Sequence, residues 1–238
     1  MVVRYGTEHR SQVAELFRPA EAPAPVAVVL HGGFWKQRYD RHLMDPLCRD
    51  LAARGWAAWN VEYRRLGLRG GGGWPGTFTD VAAALDHLRS VDGLDLGRVV
   101  ALGHSAGGHL AFWAAARPGL PARAPGTDPT VRVTHAVSQA GVVDLVSASR
   151  LGLGGGAAER LTGELPEAYE LGSPRARLPL GVPQLLVHGT DDDTVPVAMS
   201  REYAAATGEA KLVEYAGGHY EHLDPESEAW RAVVEWLP

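Results

Sequence analysis

The chain has 238 residues, 45% of them apolar and 21% charged, which suits one soluble domain with a sizeable core. A formal net charge of −5 argues against the basic stripe of a nucleic-acid surface. No apolar run reaches the roughly 18 residues of a membrane helix, and residues 1–10 lack the basic start and apolar core of a signal peptide, so the expected location is cytoplasmic. One cysteine, Cys48, excludes an internal disulfide and a zinc site of paired cysteines, and reads as a small buried hydrophobe.

Residues 2–5 and 12–17 predict a short antiparallel pair at a sheet edge. Residues 26–30 form a continuous apolar run, the pattern of a strand buried on both faces. Leu43, Leu47 and Leu51 recur four apart, with Gly55 as a stop, and predict a helix. Residues 59–63 predict a strand. Gly70 to Gly73 read as a mobile loop, and Val81, Leu85 and Leu88 as the stripe of a second helix. A strand is predicted over 99–102, and after it residues 110–116 are apolar nearly all round, the pattern of a helix packed tightly on a sheet. Residues 136–139 predict a strand. Residues 141–181 lack strand periodicity and read as an excursion with short helices over 157–161 and 167–171. A second glycine cluster, 152–156, is expected to be a mobile loop. Strands follow over 185–188 and 212–215. Asp224 is placed to cap a last helix with Pro225 at its first position, and Trp230, Val233, Val234 and Leu237 share one face. This alternation predicts an α/β fold spanning residues 1–238 as one domain. The sheet is mostly parallel, with helices on both faces and a minimal cap over about 141–181.

The strongest motif is Gly103-His104-Ser105-Ala106-Gly107, a G-x-S-x-G with a strand before it and a helix after it. That sharp turn lifts a serine hydroxyl above the sheet and places a helix N-terminus beside it. His31-Gly32-Gly33-Phe34-Trp35 follows the 26–30 strand, 72 residues before Gly103. Backbone N–H groups there, on Gly33 or Phe34, together with that of Ala106, are candidates to bind an oxyanion. A serine needs a base. Of the ten histidines, His219 sits in Gly217-Gly218-His219 after the 212–215 strand, at a strand end where ligands gather. His222 is its rival. The acid that orients the base is expected after the 185–188 strand, where Asp191, Asp192 and Asp193 stand side by side and periodicity does not choose among them.

These motifs resemble the α/β-hydrolase superfamily, closest to its small esterase and kynurenine-formamidase-like branch, also grouped with feruloyl and acetylxylan esterase-like domains. Glu62-Tyr63-Arg64 and Gly73-Trp74-Pro75 extend the likeness over nearly the whole chain. In that family the acid stands in a pattern H-G-x-x-D-x-x-V-P, which picks Asp192. The H-G-G-x-W form fits the formamidase-like branch better than the H-G-G-G of hormone-sensitive-lipase-like enzymes. Phe34 stands where the fourth glycine would be.

The resemblance implies a serine hydrolase acting through an acyl-serine intermediate: Ser105 as nucleophile, His219 as base, Asp192 as acid, and Gly33, Phe34 and Ala106 as oxyanion donors. Trp35, Trp74, His104 and Tyr220 flank the motifs as candidate substrate-binding residues. No metal or organic cofactor is required. The expected partner is a small ester, with an aryl formamide as the alternative. A non-catalytic binding protein of the same fold is the reading from another class.

Overall fold

The computed structural model describes residues 1–238. Its strands are β1 (Val2–Arg4), β2 (Val13–Phe17), β3 (Ala24–Leu30), β4 (Ala57–Val61), β5 (Leu94–His104), β6 (His135–Gln139), β7 (Gln184–Gly189) and β8 (Ala210–Tyr215). They form one sheet in the order β1-β2-β4-β3-β5-β6-β7-β8. β1 pairs with β2 and β2 with β4 antiparallel, with Val3 opposite Ala14 and Ala14 opposite Val61. The other neighbours are all parallel.

Strand pleating sorts the core into two layers. Val26, Val28 and Leu30 of β3 join the apolar layer on one face, and Ala27 and Val29 the layer on the other. α1 (Asp45–Ala53) and a later α8 (Glu228–Trp236) cover the second face through Leu47, Leu51, Trp230 and Val233. The first face is covered by α2 (Gly76–Asp86), α3 (Ala106–Ala116), α7 (Val197–Ala205) and part of the excursion. Every residue of α3 is buried, which explains why it is apolar at every position but His109.

The excursion contains α4 (Leu145–Arg150), α5 (Leu153–Thr162) and α6 (Pro166–Gly172), one helix more than expected. Asp144 caps α4 by accepting the N–H groups of Val146 and Ser147. The Trp113 indole donates to Leu171 O at 3.1 Å and His109 meets Gly172 O at 2.8 Å, so α3 anchors α6.

Three local expectations are corrected. The last helix begins later than Pro225: Ser227 is its cap, its hydroxyl accepting the Trp230 N–H at 3.0 Å. Leu43 lies in a 3-10 turn (Arg41–Met44) ahead of α1 rather than on its stripe. The Gly70–Gly73 stretch is tied down by backbone bonds, with Arg65 N–H donating to Gly70 O and Gly72 N–H to Arg65 O.

Candidate active site

The candidate residues stand at the C-terminal ends of β3, β5, β7 and β8. Ser105 follows β5 at φ 55°, ψ −119°, in the left-handed range a non-glycine residue rarely adopts. It is held there by bonds on both sides. Its N–H donates to Gln139 O at 2.7 Å, and its carbonyl accepts the N–H groups of His109 at 3.2 Å and Val142 at 3.3 Å. The flanking glycines are steric necessities. A Cβ on Gly103 would strike the Gly107 carbonyl, and one on Gly107 would strike the carbonyl oxygens of Leu30 and His31.

The loop after β3 wraps against this turn. Phe34 and Trp35 both have left-handed backbones, φ 51° and 55°. The N–H groups of Gly33 and Phe34 find no acceptor within the chain, and neither does that of Ala106 at the first position of α3. Glu62 supports the loop from β4. Its Oε1 accepts from His31 Nε2 at 3.1 Å and forms an ion pair with Arg65, whose Nε is also 3.1 Å away, while its Oε2 accepts the Arg41 N–H at 3.3 Å. The Tyr63 hydroxyl donates to His31 O at 2.7 Å. Burial alone would raise the Glu62 carboxyl, but the His31 hydrogen bond and the charges around it outweigh burial and hold it low. Arg64 turns the other way and pairs with buried Asp80 of α2 at 2.8 Å.

His219 is 4% exposed, and its Nδ1 lies 2.7 Å from Asp192 Oδ2. Asp192 is fully engaged. His188 Nε2 reaches the same Oδ2 at 3.2 Å, while Oδ1 accepts the N–H groups of Thr194 at 2.9 Å and Val195 at 2.8 Å. Burial would raise this carboxyl too, but those hydrogen bonds win and hold it far below the usual carboxylate range. Asp191 and Asp193 are not part of this contact. Asp193 meets the Thr194 hydroxyl at 3.0 Å, and neither reaches His219.

Ser105 and His219 line one pocket of about 70 Å³ together with Gly33, Phe34, His104 and Tyr220. Tyr39, Leu43, Thr194 and Leu223 complete it, and no motif pointed to these four. Thr194 alone left a trace, as part of the aspartate-rich stretch. His104 donates from Nε2–H to the His219 carbonyl, 2.7 Å away, and burial pushes its pKa down to about 3. Trp35 and Trp74 are elsewhere. Trp35 is buried edge-on against His109 at 5.1 Å, and Trp74 packs on Phe78 at 5.0 Å. His222 is wholly buried with neither ring nitrogen partnered, and burial holds it well below the ordinary histidine pKa.

Away from the pocket, Glu15, His42 and Asp45 bring ligand-type atoms within 4.8 Å of one another. Arg41 and Arg49 already pair with those carboxylates, which leaves little charge for a cation. No helix is long and apolar enough to cross a membrane.

The chain is similar to two curated proteins of Mycobacterium tuberculosis. "Probable carboxylic ester hydrolase LipM" is 29% identical over 221 residues, covering 84% of this chain and 50% of that protein. "Esterase LipQ" is 29% identical over 231 residues, covering 90% and 54%. The chain thus spans about half the length of these relatives. Among solved structures it resembles esterase 2 of Thermogutta terrifontis. The butyrate-bound form has TM-score 0.80 and 25% identity over 99% of this chain and 90% of that one. The form phosphoramylated by tabun has TM-score 0.80 and 27% identity, with the same coverage. The α/β-hydrolase architecture is therefore shared with esterases, and the BD-FAE family model matches residues 15–206. The chain belongs to the BD-FAE family.

Proposed function

We propose that this chain hydrolyses small carboxylic esters through an acyl-serine intermediate. Ser105 Oγ attacks the ester carbonyl while His219 Nε2 takes its proton. The N–H groups of Gly33, Phe34 and Ala106 bind the oxyanion. His219 then protonates the departing alcohol, and water activated by the same imidazole releases the acid. Asp192 holds the imidazole with its proton on Nδ1 and stabilises the imidazolium. The excursion over 141–181 serves as a short cap beside this site.

The observation that carries the reading is the pocket itself. It joins Ser105 to a histidine already bonded to a carboxylate at 2.7 Å, beneath backbone donors with no partner of their own. The esterase names of the relatives support the ester over other acyl substrates. The test is turnover by the protein and by Ser105→Ala on p-nitrophenyl acetate, methyl ferulate and N-formylkynurenine. Serine-dependent release of product from the esters is expected. Preference for the formamide would move the assignment to amide hydrolysis. A folded protein with no turnover, or turnover that survives Ser105→Ala, would overturn the mechanism.

A further inference from the structure

Phe34 has a second neighbour besides the serine pocket. Its ring lies against Gly154 of α5: a Cβ at that position would come 2.6 Å from the ring's Cγ and Cδ1 and 3.0 Å from Cδ2. So the absent side chain is what lets the ring sit back. Gly154 has φ +59°, and Gly152, Gly155 and Gly156 share that left-handed conformation. The stretch thereby offers bare backbone to the ring, in a conformation that side chains resist.

The contact is also strapped. Lys36 Nζ donates to Gly154 O at 2.8 Å and stands 5.7 Å from the centre of the Phe34 ring. Arg160 reaches the same carbonyl at 3.4 Å and Gly155 O at 2.7 Å. Phe34 itself is a bulky residue at positive φ, a state that persists only where its surroundings hold it. Phe34 also lines the pocket of about 70 Å³ that holds Ser105 and His219. That is well below the several hundred Å³ typical of a ligand site.

We propose that Phe34, backed by Gly154, is the stop that limits the length of the acyl group beside Ser105, restricting it to acetyl- or propionyl-sized groups. The inference rests on the acyl-transfer reading above. The oxyanion N–H belongs to the backbone of residue 34, whereas the stop is its ring, so side-chain substitution separates the two.

The experiment measures kcat/KM on p-nitrophenyl esters from acetate to octanoate for the wild type, Phe34→Ala, Phe34→Leu, Gly154→Ala and the double variant Phe34→Ala/Gly154→Ala. Wild-type values are expected to fall beyond propionate. Phe34→Ala should raise the octanoate-to-acetate ratio by tenfold or more, at about fourfold for each methylene newly accommodated. Phe34→Leu should give a smaller rise and stands in if the alanine variant does not fold. Gly154→Ala should push the ring towards Ser105 and lower butyrate relative to acetate. That effect should vanish in the double variant, where no ring remains to be pushed. An unchanged chain-length ranking in both Phe34 variants would overturn the proposal. So would a Gly154→Ala loss of equal size with and without the ring, which would report backbone strain alone. No turnover of any ester by the wild type would instead fail the acyl-transfer reading, and this inference with it.

Discussion

Replacing Asp192 by asparagine tests the acid in a way the geometry makes specific. Oδ1 accepts two backbone N–H groups, from Thr194 and Val195, so the amide oxygen of an asparagine must take that place. The amide nitrogen then stands where Oδ2 stood, 2.7 Å from His219 Nδ1. Two donors cannot face each other there, and His219 is driven to the tautomer with its proton on Nε2. A protonated Nε2 cannot take the Ser105 proton. The expected loss is about 10⁴-fold in kcat, the scale on which a wrong tautomer disables such a histidine. His188 retains Val195 O as an acceptor at 2.9 Å, and the loop retains its two backbone bonds, so the fold should survive. The assay is p-nitrophenyl acetate turnover, with thermal unfolding as the control and Asp191→Asn and Asp193→Asn as comparisons. A kcat for Asp192→Asn within tenfold of wild type, or a larger loss at Asp191, would refute the argument.

The remaining predictions concern burial. His222→Leu removes two unpartnered buried nitrogens, so it should keep turnover and leave Tm unchanged or raised; a loss of turnover rivalling His219→Ala would make His222 the base. Gly107→Ala forces a Cβ onto the Leu30 and His31 carbonyls and should cost about 1–3 kcal/mol or more, read as a lowered urea midpoint; an unchanged midpoint would contradict the close packing. Stability should fall as the medium turns acid. Burial lowers His104 to about 3 and His109 to about 4, so below about pH 6.5 the unfolded chain binds more protons than the folded one. That loss grows until the folded-state values are reached. Asp192 adds to it below the ordinary carboxylate range, because its folded form holds the charge to lower pH. Urea midpoints at pH 7 and pH 4.5 measure this, and equal midpoints would show that these histidines are not buried neutral.

The parallel strands were legible because a strand buried on both faces leaves an unbroken apolar run, as in β3, where six of seven residues are buried. The turn at Ser105 was legible for a similar reason. Only glycine fits at 103 and 107, so the steric requirement is written in the letters themselves. Helices with little to bury were not legible. α7 buries only Met199, Ser200 and Tyr203, and its amphipathic signal is weak. The start of α8 was misplaced at Asp224 and Pro225, where the sequence offered a local cap. The decision for Ser227 came from packing, where Trp230 must reach both the apolar layer and Asp50, its indole donating to Oδ2 at 2.7 Å.

The four side chains that complete the pocket come from three separate stretches, residues 39–43, 194 and 223. Their meeting is a product of strand order. The same is true of Trp35, which packs into the core, and Trp74, which packs partly buried against Phe78, although both flank the motifs in sequence. Local sterics and apolar patterning, each acting over a few residues, therefore determined the sheet, the elbow and the candidate chemistry from the sequence alone. Which aromatic rings bound the pocket and how small that pocket is depend on contacts between residues far apart in the chain, such as Phe34 on Gly154. Only the tertiary structure decided them, because nothing in a short stretch of chain encodes its distance to another.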